Sequence, residues 1–291
     1  MKRLLITGGS GFVGRNLKEA LQGKYEVFAP RHAELDILDW EALSAFIAAN
    51  KIDVIVHGAI HVPMFNGTEK EFFNDMLMFA NIEKASRMVE KVLYFGSGAE
   101  FDKRYDISMA REEDLGKTIP ASEYGLAKYT MSLIARGSRN IYNLRLFGIF
   151  GKYELWRIKF LSNLCCKALF DLPLTVRREC YFDFLSIEDL PAIVEWFIEG
   201  APAWHDYNVC MGRPYRLTEL AELVRSVSGK DLPIQLLSEE RNLDYTADNS
   251  RLRGENPALR ITPMEEALRG LYAWYGAHRE EIDYETLRES R

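Results

Sequence analysis

The chain is poor in the residues that would allow a quick assignment. It carries four cysteines, Cys165, Cys166, Cys180 and Cys210, and five histidines in 291 residues. No cysteines are spaced as CxxC, and none has a histidine at a zinc-site interval. A zinc module and a disulfide framework are therefore set aside, and the thiols are read as reduced and buried. Positive charge is not in excess: 37 Lys and Arg stand against 43 Asp and Glu, for a net charge of −6. That is the wrong balance for a protein that grips nucleic-acid phosphates. No apolar run approaches the ~18 residues that a membrane span needs. The apolar run at the start ends at glycines after four residues, which is too short for a secretory signal. The expectation is a cytoplasmic protein whose first strand lies there. There is no repeat, low-complexity tract or long linker.

What is present is a large apolar content, 47% of the chain, enough for a substantial core. The first half alternates two periodicities. KRLLIT (2–7), YEVFAP (25–30), IDVIVHGA (52–59), KVLYFGS (91–97) and NIYNLRLFGIFG (140–151) are short apolar runs. Between them lie helical patterns at 15–23, 40–50, 72–89 and 122–137. Apolar strands separated by helices predict a parallel sheet covered on both faces. Beyond residue 152 the pattern becomes irregular and mostly helical, with segments at 157–170, 186–200, 217–229 and 262–282. Ser186 with Asp189 reads as a capping start, and Thr262 as a cap before Pro263. The expected organisation is an α/β Rossmann-type doubly wound domain over residues 1–152, rejoined by a segment near 183–210. A smaller helical substrate lobe would fill 153–291.

Gly8-Gly9-Ser10-Gly11-Phe12-Val13-Gly14 joins the first strand to the first helix. Glycines at 8, 11 and 14 permit a tight turn, close approach of backbone to a pyrophosphate and close helix–strand packing. The helix N-terminus then offers free N–H groups to the anion. A plain tight turn is the competing reading. At the end of the second strand, Ala29-Pro30-Arg31-His32 lacks the acidic residue that bonds the 2′-hydroxyl of NAD. Arg31, with Arg15 behind the glycine turn, favours NADP, with NAD as the alternative. Asp36-Ile37 follows in a loop positioned to edge the adenine ring.

SEYGLAK (122–128) places Tyr124 four residues before Lys128, on one helical face. A nearby cation lowers a tyrosine pKa from about 10. The chain holds 14 tyrosines, so one such pair proves nothing alone. Ser97, at the end of the fourth strand, adds weight, because ligands of parallel sheets bind at the carboxyl ends of the strands.

With these residues in place, the chain resembles the extended short-chain dehydrogenase/reductase family of nucleotide-sugar epimerases, dehydratases and 4-ketoreductases, over nearly its whole length. The resemblance rests on TGGSGFVG (7–14), HGA (57–59), Asn74, GS (96–97), YGLAK (124–128) and NLRLFGIFG (143–151). It continues through PLTV (173–176), DFLSIEDL (183–190), YNVCMG (207–212) and LTELAELV (217–224). It implies a catalytic triad of Ser97, Tyr124 and Lys128. It also implies cofactor contacts from Gly8, Gly11, Phe12, Val13, Gly14, Arg31, Asp36, Ile37, Ala59, Tyr124 and Lys128, and a nucleotide-diphosphate sugar as substrate. The helices at 72–89 and 122–137 resemble those that form a homodimer interface, with Phe79, Met131 and Leu133 as interface or core residues.

Three departures narrow the reaction. Dehydratases of the family carry Asp-Glu after the serine; here Gly98 and Ala99 stand there, so 4,6-elimination lacks its acid and base. The 3,5-epimerising ketoreductases carry a cysteine at the place of Ala99, leaving Cys166 or His61 as alternatives for that role. The phosphate-binding arginine before Asp183 is replaced by Phe182, and Arg177 and Arg178 are the candidates to clamp a diphosphate beside Ser97. Tyr181 or Phe182 would stack on the base or pack in the core. The reading is 4-keto reduction with Tyr124 as proton donor; the alternatives are an NAD-dependent 4-epimerase and a non-catalytic cofactor-sensing relative.

Overall fold

The computed structural model describes residues 1–61 and 71–290. Alternate residues along each central strand feed opposite faces of one sheet. Leu4, Ile6, Val54, Val56 and Leu93 pack under the helices Phe12–Leu21 and Leu190–Glu199, whose Leu17, Leu21, Val194 and Phe197 complete that layer. Leu5, Ile55, Val92 and Tyr94 face the other way, against Trp40–Asn50, Glu71–Ala85 and Glu123–Arg136. Burial on both faces is why the middles of these strands are apolar. The strands Arg3–Thr7, Glu26–Phe28, Val54–His57, Lys91–Ser97, Ile141–Leu146 and Asp206–Val209 form one six-stranded parallel sheet. In space the order is Asp206–Val209, Ile141–Leu146, Lys91–Ser97, Val54–His57, Arg3–Thr7, Glu26–Phe28. It is the doubly wound α/β arrangement that the alternation predicts.

The expected boundaries shift where backbone geometry overrides pattern. The first helix begins at Phe12, not 15, because its N-cap is Gly11 within the glycine turn. The run at 140–151 divides after Leu146, and Gly148–Phe150 leaves the main sheet to pair with Phe184–Ser186. A Cβ on Gly148 would stand 2.6 Å from the Phe182 ring and 2.7 Å from the Asp183 carbonyl, so only glycine makes that crossing. Thr262 does not cap the last long helix, Met264–Ala277, whose N-cap is Pro263. Its hydroxyl donates instead to Asp189 Oδ1 at 2.6 Å, which also takes Asp189 out of the expected cap at Ser186. Ser186 accepts from the Glu188 N–H at 3.3 Å.

The C-terminal lobe packs Phe160–Leu169, Leu217–Ser228 and Met264–Ala277 around Leu164, Cys165, Leu220, Val224, Leu268 and Leu271. Phe79 and Met131 are buried in the layer between helices and sheet, hence core residues of this chain, while Leu133 is 46% exposed. Among the described residues no helix is long and apolar enough to cross a membrane. No cluster of three or more His, Cys, Asp or Glu side chains there could hold a metal.

Beneath the carboxyl edge of the sheet lies a fully buried charge network. Arg145 meets Glu100 Oε2 at 2.5 Å and Asp206 Oδ2 at 3.0 Å, and donates to Asn208 Oδ1 and Ser132 Oγ at 3.0 and 3.1 Å. Asn143 Nδ2 donates to the same Glu100 carboxylate at 3.0 Å. These bonds join two strands, the helix Glu123–Arg136 and the turn after Ser97. Removing one member leaves buried charge unpaired, which costs about 3–5 kcal/mol. Arg145→Met is expected to lose about that much, read as a lower urea midpoint at an unchanged m-value.

Candidate active site

The glycine turn is built by contact distances that no side chain tolerates. Gly8 has φ +71°, and a Cβ there would lie 2.8 Å from the Gly58 carbonyl. A Cβ on Gly14 would lie 2.2 Å from the Gly8 oxygen, so the helix Phe12–Leu21 sits directly on the turn. That helix has no side-chain cap and no acidic residue in its first turn. Its leading N–H groups are therefore open to an anion. Beside it lies a cavity of about 540 Å³ lined by Gly8, Ser10, Pro30, Asp36, Ile37 and Ala59, with His61 and Asn74 at one end. Apolar edges at Ile37 and Ala59 and a glycine cradle fit the adenosine diphosphate half of a dinucleotide.

The two arginines expected to discriminate cofactors are placed differently. Arg31 is exposed; its N–H donates to Glu34 Oε2 at 2.7 Å and its guanidinium lies 3.4 Å from Glu34 Oε1. Its neighbours Pro30 and His32, not Arg31, line the cavity. Arg15 stacks on the Tyr153 ring at 3.5 Å and pairs with Glu19 at 3.4 Å. It borders a separate cavity with Trp274 and His278, so the expectation that it meets a 2′-phosphate is not met.

A second cleft, of about 620 Å³, holds Phe12, Val13, Ser97, Tyr124 and Lys128, and Ile60 lines both cavities. Ser97 ends its strand and caps the tight turn Gly98–Glu100. Its Oγ accepts the Ala99 N–H at 3.2 Å, and its own N–H donates to Glu100 Oε1 at 3.1 Å. An Oγ that accepts from the backbone keeps its proton available for another acceptor. The helix Glu123–Arg136 starts at Ser122, whose Oγ accepts the Gly125 N–H at 3.1 Å. A Cβ on Gly125 would be 2.7 Å from the Ala99 carbonyl, so glycine lets this helix lie against the serine turn. One helical turn separates Tyr124 from Lys128.

Lys128 is buried. Its Nζ donates to the Phe95 carbonyl at 2.9 Å and lies 5.9 Å from the Tyr124 ring centre. Burial pushes its pKa below the usual lysine value, opposed by the carboxylates of Asp75 and Glu100. His57, behind it, is held down to about 3 by burial and by the Lys128 charge, so it is neutral there. Its Nδ1 pairs with Thr7 Oγ1 at 2.8 Å.

Several cleft residues were not legible as site residues: Lys103, Glu154, Lys159 and Tyr245. Phe182, named from the sequence for base stacking or core packing, also lines the cleft, stacked on Phe184 at 4.4 Å and against Tyr245 at 4.9 Å. Tyr181 points elsewhere, 40% exposed and 5.9 Å from the Arg241 guanidinium. Arg177 and Arg178 line an adjoining basic cavity of about 440 Å³ with Arg157, and Lys159 and Asn242 belong to both spaces. Arg178 is ion-paired with Glu240 at 2.8 Å. Cys166 is fully buried in the lobe core, where burial pushes its thiol up to about 12, so it supplies no thiolate to the cleft. His61 lines the adenosine-side cavity, away from the Ser97 cleft. Asp183 spends its carboxylate on the Met211 and Gly212 N–H groups, at 2.8 Å each.

A family model described as NAD dependent epimerase/dehydratase family matches residues 4–210. The chain belongs to that family. It is thus an extended short-chain dehydrogenase/reductase enzyme. Among curated relatives, GDP-L-colitose synthase of Yersinia pseudotuberculosis is 23% identical, over 78% of this chain and 82% of that protein. The GDP-L-fucose synthetase of Naegleria fowleri bound to NADP superposes with a TM-score of 0.81 at 16% identity, covering 96% and 95% of the two chains. UDP-glucose 4-epimerase of Thermus thermophilus in complex with NAD gives 0.76 at 19%, covering 94% and 99%. At these identities the solved structures establish the fold.

Glu154 gives the fold a dependence on pH. It is buried, accepts from Ser162 Oγ at 2.6 Å, and burial raises its carboxyl to about 7 from an ordinary 4.5. The folded state then holds a proton that the unfolded chain has released, so stability falls as pH rises from 4.5 to about 7 and levels off above. Glu154→Gln is expected to flatten this part of the curve. Relative to wild type it should melt higher at pH 8 than at pH 5, as thermal unfolding across pH will show.

Proposed function

We propose that this enzyme reduces the 4-keto group of a nucleotide-diphosphate sugar, with NADPH as reductant. The observation that carries the reading is that Ser97, Tyr124 and Lys128 line one cleft, which meets the glycine-cradled cavity at Ile60. The reduced nicotinamide, when bound, supplies the hydride. Ser97, its Oγ already accepting from Ala99, turns its proton from the Tyr245 oxygen to the keto oxygen and polarises it. Tyr124 gives its proton to that oxygen as the carbon is reduced. Lys128, 5.9 Å from the phenol ring centre, offsets the negative charge left behind and holds the cofactor ribose. Gly98 and Ala99 put no carboxylate beside the serine, which argues against water elimination.

The diphosphate is assigned to the basic mouth formed by Lys159, Arg177 and Arg178, where the two cavities adjoin. NADP is favoured because Glu34, the nearest carboxylate after the second strand, is engaged by Arg31 instead of standing ready for a ribose 2′-hydroxyl. The name of the NADP-bound neighbour supports the same choice. The second reading is a 4-epimerase with tightly held NAD, favoured by the likeness to the NAD-bound epimerase. A homodimer is assigned to the helices Glu71–Ala85 and Glu123–Arg136, which expose Phe73, Leu77, Leu133 and Ile134.

Tyr124→Phe is expected to lower turnover of a GDP-4-keto-6-deoxysugar by about 10²–10⁴-fold with NADPH affinity unchanged; full turnover in the variant would sink the mechanism. Native mass measurement of the purified enzyme separates the two readings: stoichiometric retained NAD with no need for added reductant identifies the epimerase. Sedimentation is expected to give twice the chain mass, falling to one for Leu133→Lys with Ile134→Lys.

A further inference from the structure

Tyr245 belongs to no motif of the sequence, yet it stands in the cleft with Ser97 and Tyr124. It opens the short strand Tyr245–Ala247, which lies between Ile107–Ala110 and Tyr181–Phe182. Its carbonyl accepts the Asp183 N–H at 3.0 Å. The ring packs against Phe147 and Phe182, with centres 4.9 Å away in each case, and the Lys103 ammonium lies 4.7 Å from its centre. So packed, the ring has one destination for its tip, the turn after Ser97.

There the tip meets Gly98. A Cβ on Gly98 would lie 2.5 Å from the Tyr245 hydroxyl oxygen, 2.7 Å from its Cζ and 2.6 Å from Phe147 Cε1. Gly98 opens a 3-10 turn without a left-handed φ, so glycine is there for space, not for conformation. The lost side chain after the serine and the phenol from a distant strand are one feature: the space is emptied by one residue and filled by the other. Burial raises the Tyr245 pKa beyond that of a free phenol, with Tyr124 and Glu100 adding to the effect and the Ser97 hydroxyl and Ala99 N–H opposing it. The group stays a protonated donor throughout the neutral range.

Building on the nucleotide-sugar reading, we infer that Tyr245 is a specificity residue of this active site: from the space vacated at Gly98, its hydroxyl donates a hydrogen bond to a sugar oxygen next to the carbon that reacts. Tyr124 serves the reacting oxygen, and Tyr245 fixes how the ring lies in front of it. Two phenols flanking one serine thus divide the work of proton transfer and sugar recognition.

The test uses the full chain saturated with NADP⁺ and isothermal titration with GDP, GDP-mannose, UDP and UDP-glucose. The quantity read is the gain in affinity of a nucleotide sugar over its own nucleoside diphosphate. Tyr245→Phe is expected to cut that gain about 3–10-fold, the worth of one hydrogen bond, with the diphosphate and NADP⁺ affinities unchanged. Under turnover the loss should fall on KM for the sugar, unlike Tyr124→Phe, whose loss falls on kcat. Gly98→Ala should show the same loss by displacing the phenol, and the double variant should be no worse than either alone. If Gly98→Ala does not fold, Tyr245→Phe decides by itself. An undiminished gain in Tyr245→Phe overturns the role of Tyr245 and leaves the enzyme reading standing. A wild-type protein that binds NADP⁺ but gains nothing from any sugar overturns the nucleotide-sugar reading, and this inference with it.

Discussion

The architecture depends on backbone approaching backbone more closely than a Cβ allows, at the carboxyl edge of the parallel sheet. The helix Phe12–Leu21 rests on the glycine turn because Gly14 has nothing to place against the Gly8 oxygen. The helix carrying Tyr124 and Lys128 reaches the serine turn because Gly125 leaves room for the Ala99 carbonyl. Together they bring a strand end, a helix face and an anion-binding helix terminus around one space.

Such approaches need support from below. Arg145 with Glu100 and Asp206 is the counterweight: a charged side chain in the interior, with its partners drawn from the serine turn and the outermost strand. The same Glu100 carboxylate that balances Arg145 accepts the Ser97 N–H, so the position of the Ser97 turn is tied to a fully buried charge. A buried network of this kind is costly unless every member is matched. Lys128 follows the same logic, since its ammonium is removed from water and offset by a backbone carbonyl and by the charges of Asp75 and Glu100.

Much of this was legible. Trp40–Asn50 and Lys91–Ser97 have the bounds their patterns predict, and the Asp39 side chain caps the first of them at the expected start. The glycine turn, Ser97, Tyr124 and Lys128 were visible because each lies at a junction whose local chemistry is unusual. Two polar side chains lie elsewhere than their position in the sequence suggests. Arg15 and Thr262 were assigned to the nearest plausible task, and each took a partner that the order of residues does not reveal: Tyr153 and Asp189. A flexible polar side chain has several partners within reach, and only the three-dimensional neighbourhood chooses among them.

The order of residues alone determined the alternation of buried strand and amphipathic helix, and with it the parallel sheet and the edge where a ligand must bind. Periodicity and glycine spacing are local properties, and local properties survive in one dimension. Folding decided what surrounds Ser97, Tyr124 and Lys128: the aromatic wall of Phe147, Phe182 and Tyr245, the basic mouth with Lys159, and the phenol that fills the gap at Gly98. Those contacts join segments far apart in the chain. They exist only once hydrophobic burial has brought the lobe down onto the sheet, so no pattern within any one segment announces them.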